Sequence, residues 1–354
     1  MEMSCLSDNN MPVRIHYIKI ITSVILFCNL HLNLIAQEPN FSQFVTSPLT
    51  VSPALSGNGE TNWRLMSNIR TQWIGIGSPF ITQTFSMDGR VNHLDDPNYW
   101  GIGGMVLAEK AMEGVYKSVY VNLSTSYHIS MDDRGNGISL GLGFVNNNTR
   151  IDMARLSFDQ QLSSSGFDRA LPSMETANKG STSYSSANAG ILYTYDSDNS
   201  FINLGVSGYR FFKTKRSLFD DPTQTVDPRY SIHADLGTAL SETLNANLSC
   251  LHSIQNKEST TTFGAMLGIQ RSTPNYDYEH TNTLNLGLFY KLNQAIVPCI
   301  GYIINRFQFG LSYDINMIAS ASASSHYNSV ELSLIYRKKT AGYNAKMVRY
   351  HSPF

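Results

Sequence analysis

"VYVNLSTSYHI", residues 119–129, is the stretch that decides the fold of this chain. Apolar residues such as Val121 and Leu123 alternate with polar residues such as Asn122 and Ser124. A period of two residues is the geometry of a β-strand, which turns successive side chains to opposite faces. The stretch therefore predicts a strand with one apolar and one polar face. The same alternation recurs in residues 284–290, 307–316 and 330–337.

Alternating segments continue to residue 338, and turn-forming residues such as "DDRGNG" at 132–137 separate them. Several segments have ten or more residues. Strands of soluble sheets have about five or six residues, whereas longer ones suit a tilted crossing of a membrane. No helical periodicity interrupts the series. We predict fourteen strands, near residues 62–70, 79–90, 100–109, 115–131, 137–147, 184–195, 199–213, 229–240, 243–253, 260–272, 280–292, 294–304, 306–317 and 328–338.

The composition favours a membrane barrel over a soluble β-sandwich or propeller. Charged residues make up 15 % of the chain, against about 25 % in a soluble domain. The polar face of the predicted strands carries Gly, Ser, Asn and Thr instead of Lys and Glu. Lipid outside and a polar lumen inside require this pattern, and closure satisfies every backbone group. We predict an all-β fold, an antiparallel transmembrane β-barrel of about 14 strands.

Long connections and aromatic residues fit the same architecture. Counted from a periplasmic start, the connections 148–183 and 214–228 follow outward strands, so they are predicted to be extracellular. An alternative for 148–183 is a small plug folded into the barrel. Aromatic residues near strand ends predict the interfacial girdles of a barrel, and these residues are Trp63, Trp100, Tyr209, Phe211, Phe212, Tyr290 and Tyr336.

The first 36 residues are predicted to be an export signal, cleaved near Ala36 and Gln37. They combine a basic start with a hydrophobic region, residues 20–35. The alternatives are an uncleaved membrane anchor and lipidation at Cys28. We expect Sec export to the outer membrane and four regions: the signal at 1–36, a periplasmic N-terminal segment at 37–61, the barrel at 62–338 and a periplasmic tail at 339–354.

Signals for catalysis are weak. A phospholipase barrel needs a serine and a histidine with an orienting third group, but no G-x-S-x-G elbow occurs. We interpret His128, His233 and His252 as lumen or rim residues. The acidic pairs at 95–96, 132–133 and 220–221 lie in turn-like stretches and are predicted to be solvated.

The remaining polar signals are also best explained without catalysis. The run "KTKR" at 213–216 is interpreted as a solvated loop, with contact to lipopolysaccharide phosphates as the alternative. Cys250 and Cys299 lie in predicted strands, and two positions leave a disulfide open. A net charge of −1 gives no field that favours nucleic acid. We expect no enzymatic activity, cofactor, metal or nucleic-acid partner.

"QEPNFSQFVTSPLTVSPALSG", residues 37–57, fits neither a helix nor a strand because Pro39, Pro48 and Pro53 each remove a backbone donor. Yet it is too apolar for a free linker. We hypothesise that the segment packs into the barrel mouth or against a periplasmic partner. The alternative is a purely structural closure of the barrel floor.

This stretch, with "NIRTQW" at 68–73 and "SPFITQTFSMDG" at 78–89, resembles the PorP/SprF family of type IX secretion system membrane proteins from Bacteroidota. The late segments "FGLSYDIN" at 309–316 and "SVELSLIYR" at 329–337 are similar to the ending of the family. The motif residues, which are also candidate partner contacts, are Phe41, Ser42, Gln43, Pro53, Ala54, Gly57, Arg70, Gln72, Trp73 and Pro79.

The resemblance implies a structural component of the outer membrane. PorP-type members belong to the core secretion apparatus, and SprF-type members assist the surface delivery or retention of a partner adhesin used in gliding motility. The implied partners are outer-membrane lipid, other components of the secretion system and a large secreted surface protein. The alternative function is a passive channel or transporter for small solutes, which the neutral lumen face favours.

Overall fold

Fourteen antiparallel strands close into one barrel, which confirms the fold class predicted from the alternation. Each strand pairs with its neighbours in sequence, and the first pairs with the last. The strands are β1 Trp63–Ile74, β2 Phe80–Arg90, β3 Tyr99–Ala111, β4 Tyr116–Ser130, β5 Asn136–Ile151, β6 Ser181–Asp196, β7 Ser200–Tyr209, β8 Arg229–Ala239, β9 Leu244–Gln255, β10 Glu258–Gln270, β11 Asn282–Lys291, β12 Ala295–Ile304, β13 Phe307–Asn316 and β14 Asn328–Lys338.

The computed structural model describes residues 41–59, 61–75, 77–91, 97–163, 166–168, 170–172, 180–197, 199–211, 214–215, 225–270, 282–317 and 328–338. The predicted signal, the C-terminal tail, two of the acidic pairs (95–96 and 220–221) and half of the "KTKR" run (Lys213 and Arg216) lie outside these residues. Among the described residues, no helix is long and apolar enough to cross a membrane.

The two faces of the strands are reversed relative to a soluble protein. Large apolar side chains are exposed on the outer surface, as for Phe85 (58 %) and Leu142 (65 %). Polar side chains such as Asn68 and Asp88 are fully buried on the inner face. This arrangement suits lipid outside and a polar lumen inside.

Two ends of the barrel can be distinguished by their connections. We call the end with the connections 152–180 and 210–228 the loop end, and the opposite end, with short turns such as 131–135, the turn end. In that turn, Asp132 accepts hydrogen bonds from Asn136 and from the backbone of Arg134, which lower the pKa of its carboxyl group.

The connection after β5 begins with two 3-10 turns, Met153–Arg155 and Asp159–Gln161. A two-residue hairpin follows, in which Leu162–Ser163 pairs with Gly166–Phe167. Leu162 and Phe167 are exposed, so the described part of this connection does not form the plug considered for residues 148–183. A second short hairpin, Thr214–Lys215 with Thr225–Val226, lies in the connection after β7.

Among the described residues, the structure corrects the girdle interpretation at one aromatic residue, and Phe212 lies outside the residues that the structure describes. Tyr209 is buried in the lumen, because it shares the inward register of Gly205 and Ser207, whereas Trp100 is exposed on the outer surface. The two strand cysteines also lie on opposite faces. Cys299 points into the lumen and Cys250 points outward, so the two do not form a disulfide with each other.

Candidate functional site: the occupied lumen

The N-terminal residues 41–59, which we call the lumen segment, lie inside the barrel. All of them are buried except Thr50, Asn58 and Gly59, and none carries a charge. The segment runs along the barrel: Ser42 meets residues near the loop end, and Gly57 lies near the turn end. The sequence interpretation placed this region on the periplasmic side, ahead of the first strand, and packed either into the barrel mouth or against a partner. The described residues lie deeper than the mouth and occupy the lumen, where the barrel wall buries their apolar side chains.

Prolines set the local structure of the lumen segment. Pro48 and Pro53 each open a 3-10 turn, a position where a missing N–H costs no hydrogen bond. The Ser52 side chain accepts a hydrogen bond from the backbone of Ala54 and caps the last turn. The segment therefore satisfies much of its backbone by itself and adds no strand to the barrel.

Side chains of the barrel wall bind several other backbone groups of the lumen segment. Three consecutive carbonyls accept hydrogen bonds from β7 and β8, each at a distance typical of a strong bond. The donors are Tyr209 to Leu49 (2.7 Å), Ser207 to Val51 (2.6 Å) and Arg229 to Thr50 (2.6 Å). Because the wall contacts backbone and not side chains here, recognition depends on the path of the segment more than on its side chains.

Near the turn end, β4 holds the carbonyl of Ser56. Ser126 Oγ donates to it at 2.7 Å, and His128 Nε2 lies 2.9 Å from it. The imidazole also stacks on the ring of Tyr99 at 4.3 Å. His128, considered above for catalysis, therefore positions the lumen segment.

Apolar contacts fix the middle of the segment. Phe44 packs edge-on against Phe289, with ring centroids 6.1 Å apart. Burial of an aromatic side chain of this size stabilises by about 1.5–3 kcal/mol. The surrounding buried cluster combines segment and wall residues, namely Val45, Val51, Ala54, Leu55, Leu192, Leu251, Met266, Ala295, Val297 and Cys299.

A buried group of four charged residues receives the start of the lumen segment. Asp314 forms ion pairs with Arg70 (2.7 Å) and Lys291 (2.9 Å), and Arg70 lies 3.8 Å from Glu331. Two positive and two negative side chains balance within the wall. The segment adds hydrogen bonds only, from the Ser42 backbone to Glu331 (2.8 Å) and from Ser42 Oγ to Asp314 (2.7 Å).

A second ion pair lies near the turn end. Arg64 Nε donates to Asp88 Oδ1 at 2.8 Å, and both side chains are buried. Arg64 also donates to the carbonyl of Leu55, and Asp88 accepts from the backbone N–H of Gly57 at 2.6 Å. This pair too is balanced without the segment.

The structure divides the predicted motif residues into two groups. One group forms or holds the lumen segment: Phe41, Ser42, Gln43, Pro53, Ala54, Gly57 and Arg70. The other lies at the loop end of β1 and β2: Gln72, Trp73 and Pro79. Trp73 sits in a bulge with a φ of 59°, is 48 % exposed and packs edge-on against Phe80.

Several residues that hold the segment were missed from the sequence. Lys291 and Asp314 are charged residues at inward positions of otherwise neutral strand faces, and Asp88 shares its inward face with only one other charged residue, Arg90. That contrast is a signal in the sequence. The partners of these residues cannot be identified from the sequence, because Arg70 and Asp314 lie 244 positions apart.

Glycines of the wall leave room for the lumen segment, which yields a prediction. A Cβ at Gly141 would lie 2.2 Å from the backbone nitrogen of Ala54. Gly141→Val should therefore displace the segment, at a cost of about 1–3 kcal/mol for overpacking. A cysteine placed at Ser47, which is fully buried, reports the displacement. A water-soluble maleimide should label it in the valine variant and not in the parent.

The matched control is Gly104→Val, because a Cβ at that outward position meets only Leu123, at 3.6 Å. Mass spectrometry locates the labelled cysteine. Equal labelling at position 47 in both valine variants would contradict the close fit of the segment at Gly141.

A cavity of about 50 Å³ lies near the loop end, between Thr50 and wall residues that include Leu107, Tyr120 and Arg229. This volume holds a few water molecules. Around the lumen segment, the buried apolar cluster gives the lumen the character of a packed core.

The fold and the occupied lumen define an integral membrane β-barrel whose interior is filled by its own N-terminal segment. The model of the family described as type IX secretion system membrane protein PorP/SprF matches residues 33–336. The chain belongs to this family, as its motifs predict. A secretion-system membrane family and a barrel fold fit an outer-membrane protein.

Other comparisons are more distant. No curated protein matches the chain. Among solved structures, the CymD monoaromatic hydrocarbon channel is similar at 10 % identity over 84 % of this chain and 94 % of that chain, with a TM-score of 0.49. The toluene transporter TodX of Pseudomonas putida is similar at 10 % identity over 83 % and 93 %, with a TM-score of 0.48. At these values the likenesses carry no argument about function.

Proposed function

We propose that this barrel serves the type IX secretion system by assisting the export or the surface retention of a partner protein, such as a gliding adhesin. The observation that carries the proposal is the filled lumen of a family member. A segment held along the barrel by hydrogen bonds and a buried aromatic contact suits a scaffold better than a steadily open pore.

The alternative is a passive channel for small solutes. The polar inner face favours it, but the lumen segment is buried along the barrel and held there by the wall, which does not suit a steadily open path. A channel would therefore require the lumen segment to leave.

The loop end is the best candidate for partner contact. The hairpin after β5 exposes two paired apolar side chains outside the barrel wall, Leu162 (68 %) and Phe167 (45 %). Exposed apolar groups of this kind favour a contact between proteins. The motif residues between 41 and 57, by contrast, are covered by the wall. We therefore assign them to keeping the lumen segment in its place inside the barrel, and not to partner contact.

Co-purification from native membranes tests this proposal. The double variant Leu162→Ser and Phe167→Ser should lose a co-purifying secreted protein that the parent retains. Met131→Ser is the matched control, because the exposure of Met131 (58 %) lies between those of Leu162 and Phe167 but the residue is at the turn end. A parent barrel that purifies alone and conducts ions steadily would contradict the proposal.

A further inference from the structure

Three positively charged side chains form a row on the outer surface near the loop end. Lys110 of β3 pairs in register with Lys117 of β4, and Lys117 pairs with Arg150 of β5. All three residues are exposed. Side chains directly opposite on neighbouring strands have Cβ atoms about 4.5–5.5 Å apart, and like charges in such positions are destabilising.

The two lysines also converge. A Cβ at Gly114 would lie 2.9 Å from Cε of Lys110 and 3.4 Å from Cε of Lys117. Both lysine side chains therefore pack over the same glycine. The absence of a side chain at Gly114 allows this approach. Two ammonium groups in this arrangement create a local concentration of positive charge.

Nearby acidic groups do not neutralise the row. Glu113 faces Arg155, with a separation of 3.7 Å, and Glu109 is buried on the lumen face. Asp152 is exposed beyond the end of β5. Within the described residues, Lys110, Lys117 and Arg150 form no ion pair. A ligand with negative charge would relieve their repulsion.

The position of the row identifies the kind of ligand. The next outward residues on β3 and β4 are Ala108 and Val119, and Val106 and Val121 follow. The row therefore lies at the edge of the apolar band, at the level of lipid headgroups. Long connections mark the extracellular end of a membrane barrel. The extracellular leaflet of an outer membrane consists of lipopolysaccharide, whose lipid A carries phosphate on a sugar.

Neutral polar side chains beside the row suit that sugar. Asn148 and Ser183 point outward next to Arg150, and Asn146 and Ser185 form the next level. The Asn146 side chain donates to Ser185 Oγ at 2.9 Å, so these groups are held in place. Amide and hydroxyl groups match the hydroxyls of a carbohydrate.

We propose that Lys110, Lys117 and Arg150 form a binding site for a phosphate of lipid A, with the polar side chains of β5 and β6 against its sugar. The site is independent of the lumen segment and of the proposed role in secretion. It anchors one side of the barrel in the outer leaflet and leaves the rest of the outer surface to ordinary apolar contact.

Binding of lipid A to the purified full-length barrel tests the site, with the bound lipid counted by native mass spectrometry. Each basic residue at a membrane surface contributes about 1 kcal/mol. The triple variant Lys110→Gln, Lys117→Gln and Arg150→Gln should therefore lose roughly 100-fold in affinity. Lys117→Gln alone should lose about fivefold. Lys257→Gln, an exposed lysine at the same end on another side of the barrel, should leave binding unchanged.

Three further probes distinguish the source of the phosphate. Dephosphorylated lipid A, phosphatidylglycerol and inorganic phosphate should each bind more weakly than lipid A. Equal binding of any of these three, or an unchanged affinity in the triple variant, would overturn the proposal. The midpoint temperature of thermal unfolding of the triple variant in neutral lipid should be no lower than that of the parent, because the like-charge repulsion is removed.

Discussion

Removal of residues 41–57 should convert a closed barrel into a conducting one. The segment contributes no strand to the barrel, so the fourteen strand pairings do not depend on it. Both buried ion networks of the wall are balanced without it. A barrel of this strand number is wider than the eight-stranded barrels that side chains alone can fill. The wall should therefore persist around an open, polar lumen.

Conductance in a planar lipid bilayer measures the effect. The parent protein should show no steady open level, and the deletion variant should show one that lasts through the recording. Circular dichroism of both proteins in detergent checks that the strands remain. A folded deletion variant without steady conductance would show that the segment is not what closes the lumen.

A weaker disturbance of the same contacts provides the control. Ser42→Ala removes one hydroxyl that bonds Asp314 and Arg70 but leaves the apolar contacts of the segment in place. A hydrogen bond to a charged group contributes about 1.5–3 kcal/mol. This variant should remain closed most of the time, with brief openings. The deletion shows whether the segment closes the lumen, and Ser42→Ala shows how the strength of its attachment affects the frequency of opening.

The barrel itself was predictable because its signal is local. Alternation in a stretch such as 307–316 fixes both the strand and the face of each residue, whatever lies next to it. The structure places Phe309 and Leu311 outside and Ser312 and Asp314 inside, as that pattern predicts. The alternation also predicts the inward position of Tyr209, because Tyr209 lies two residues from Ser207 and shares its face. Its aromatic character alone had favoured a place in the girdle.

The lumen segment was only partly predictable, for a physical reason. Its apolar residues and prolines predict a covered segment that forms no strand, and the structure agrees. Its location depends on distant contacts, such as those of Leu49 with Tyr209, which lie 160 positions apart. No short-range pattern encodes such a pairing. The same limit applies to the partner protein of the proposed function, because contacts with another chain leave no local pattern in this sequence.

Asp314→Ala should be the most destabilising single substitution in the wall. The carboxylate forms ion pairs with both Arg70 and Lys291 and is 2 % exposed. Its removal leaves two buried cations facing one carboxylate, that of Glu331. Loss of one partner of a buried ion pair costs about 3–5 kcal/mol. Unfolding of the barrel by urea in lipid vesicles should show a loss of this size.

A second variant separates charge balance from packing. In the double variant Asp314→Leu and Lys291→Leu, Arg70 and Glu331 remain as one balanced pair. Replacement of a buried pair by apolar residues is often close to neutral. The double variant should therefore be more stable than Asp314→Ala, although it changes more atoms.

The comparison decides what holds the start of the lumen segment. If charge balance dominates, the double variant recovers the stability of the wall but not the hydrogen bond from Ser42 Oγ to position 314, since Asp314→Leu removes the acceptor. The segment should then loosen while the barrel stays stable, and a cysteine at position 47 should become labelled. A double variant as unstable as Asp314→Ala would instead assign the stability of the wall to the hydrogen bonds of this one carboxylate.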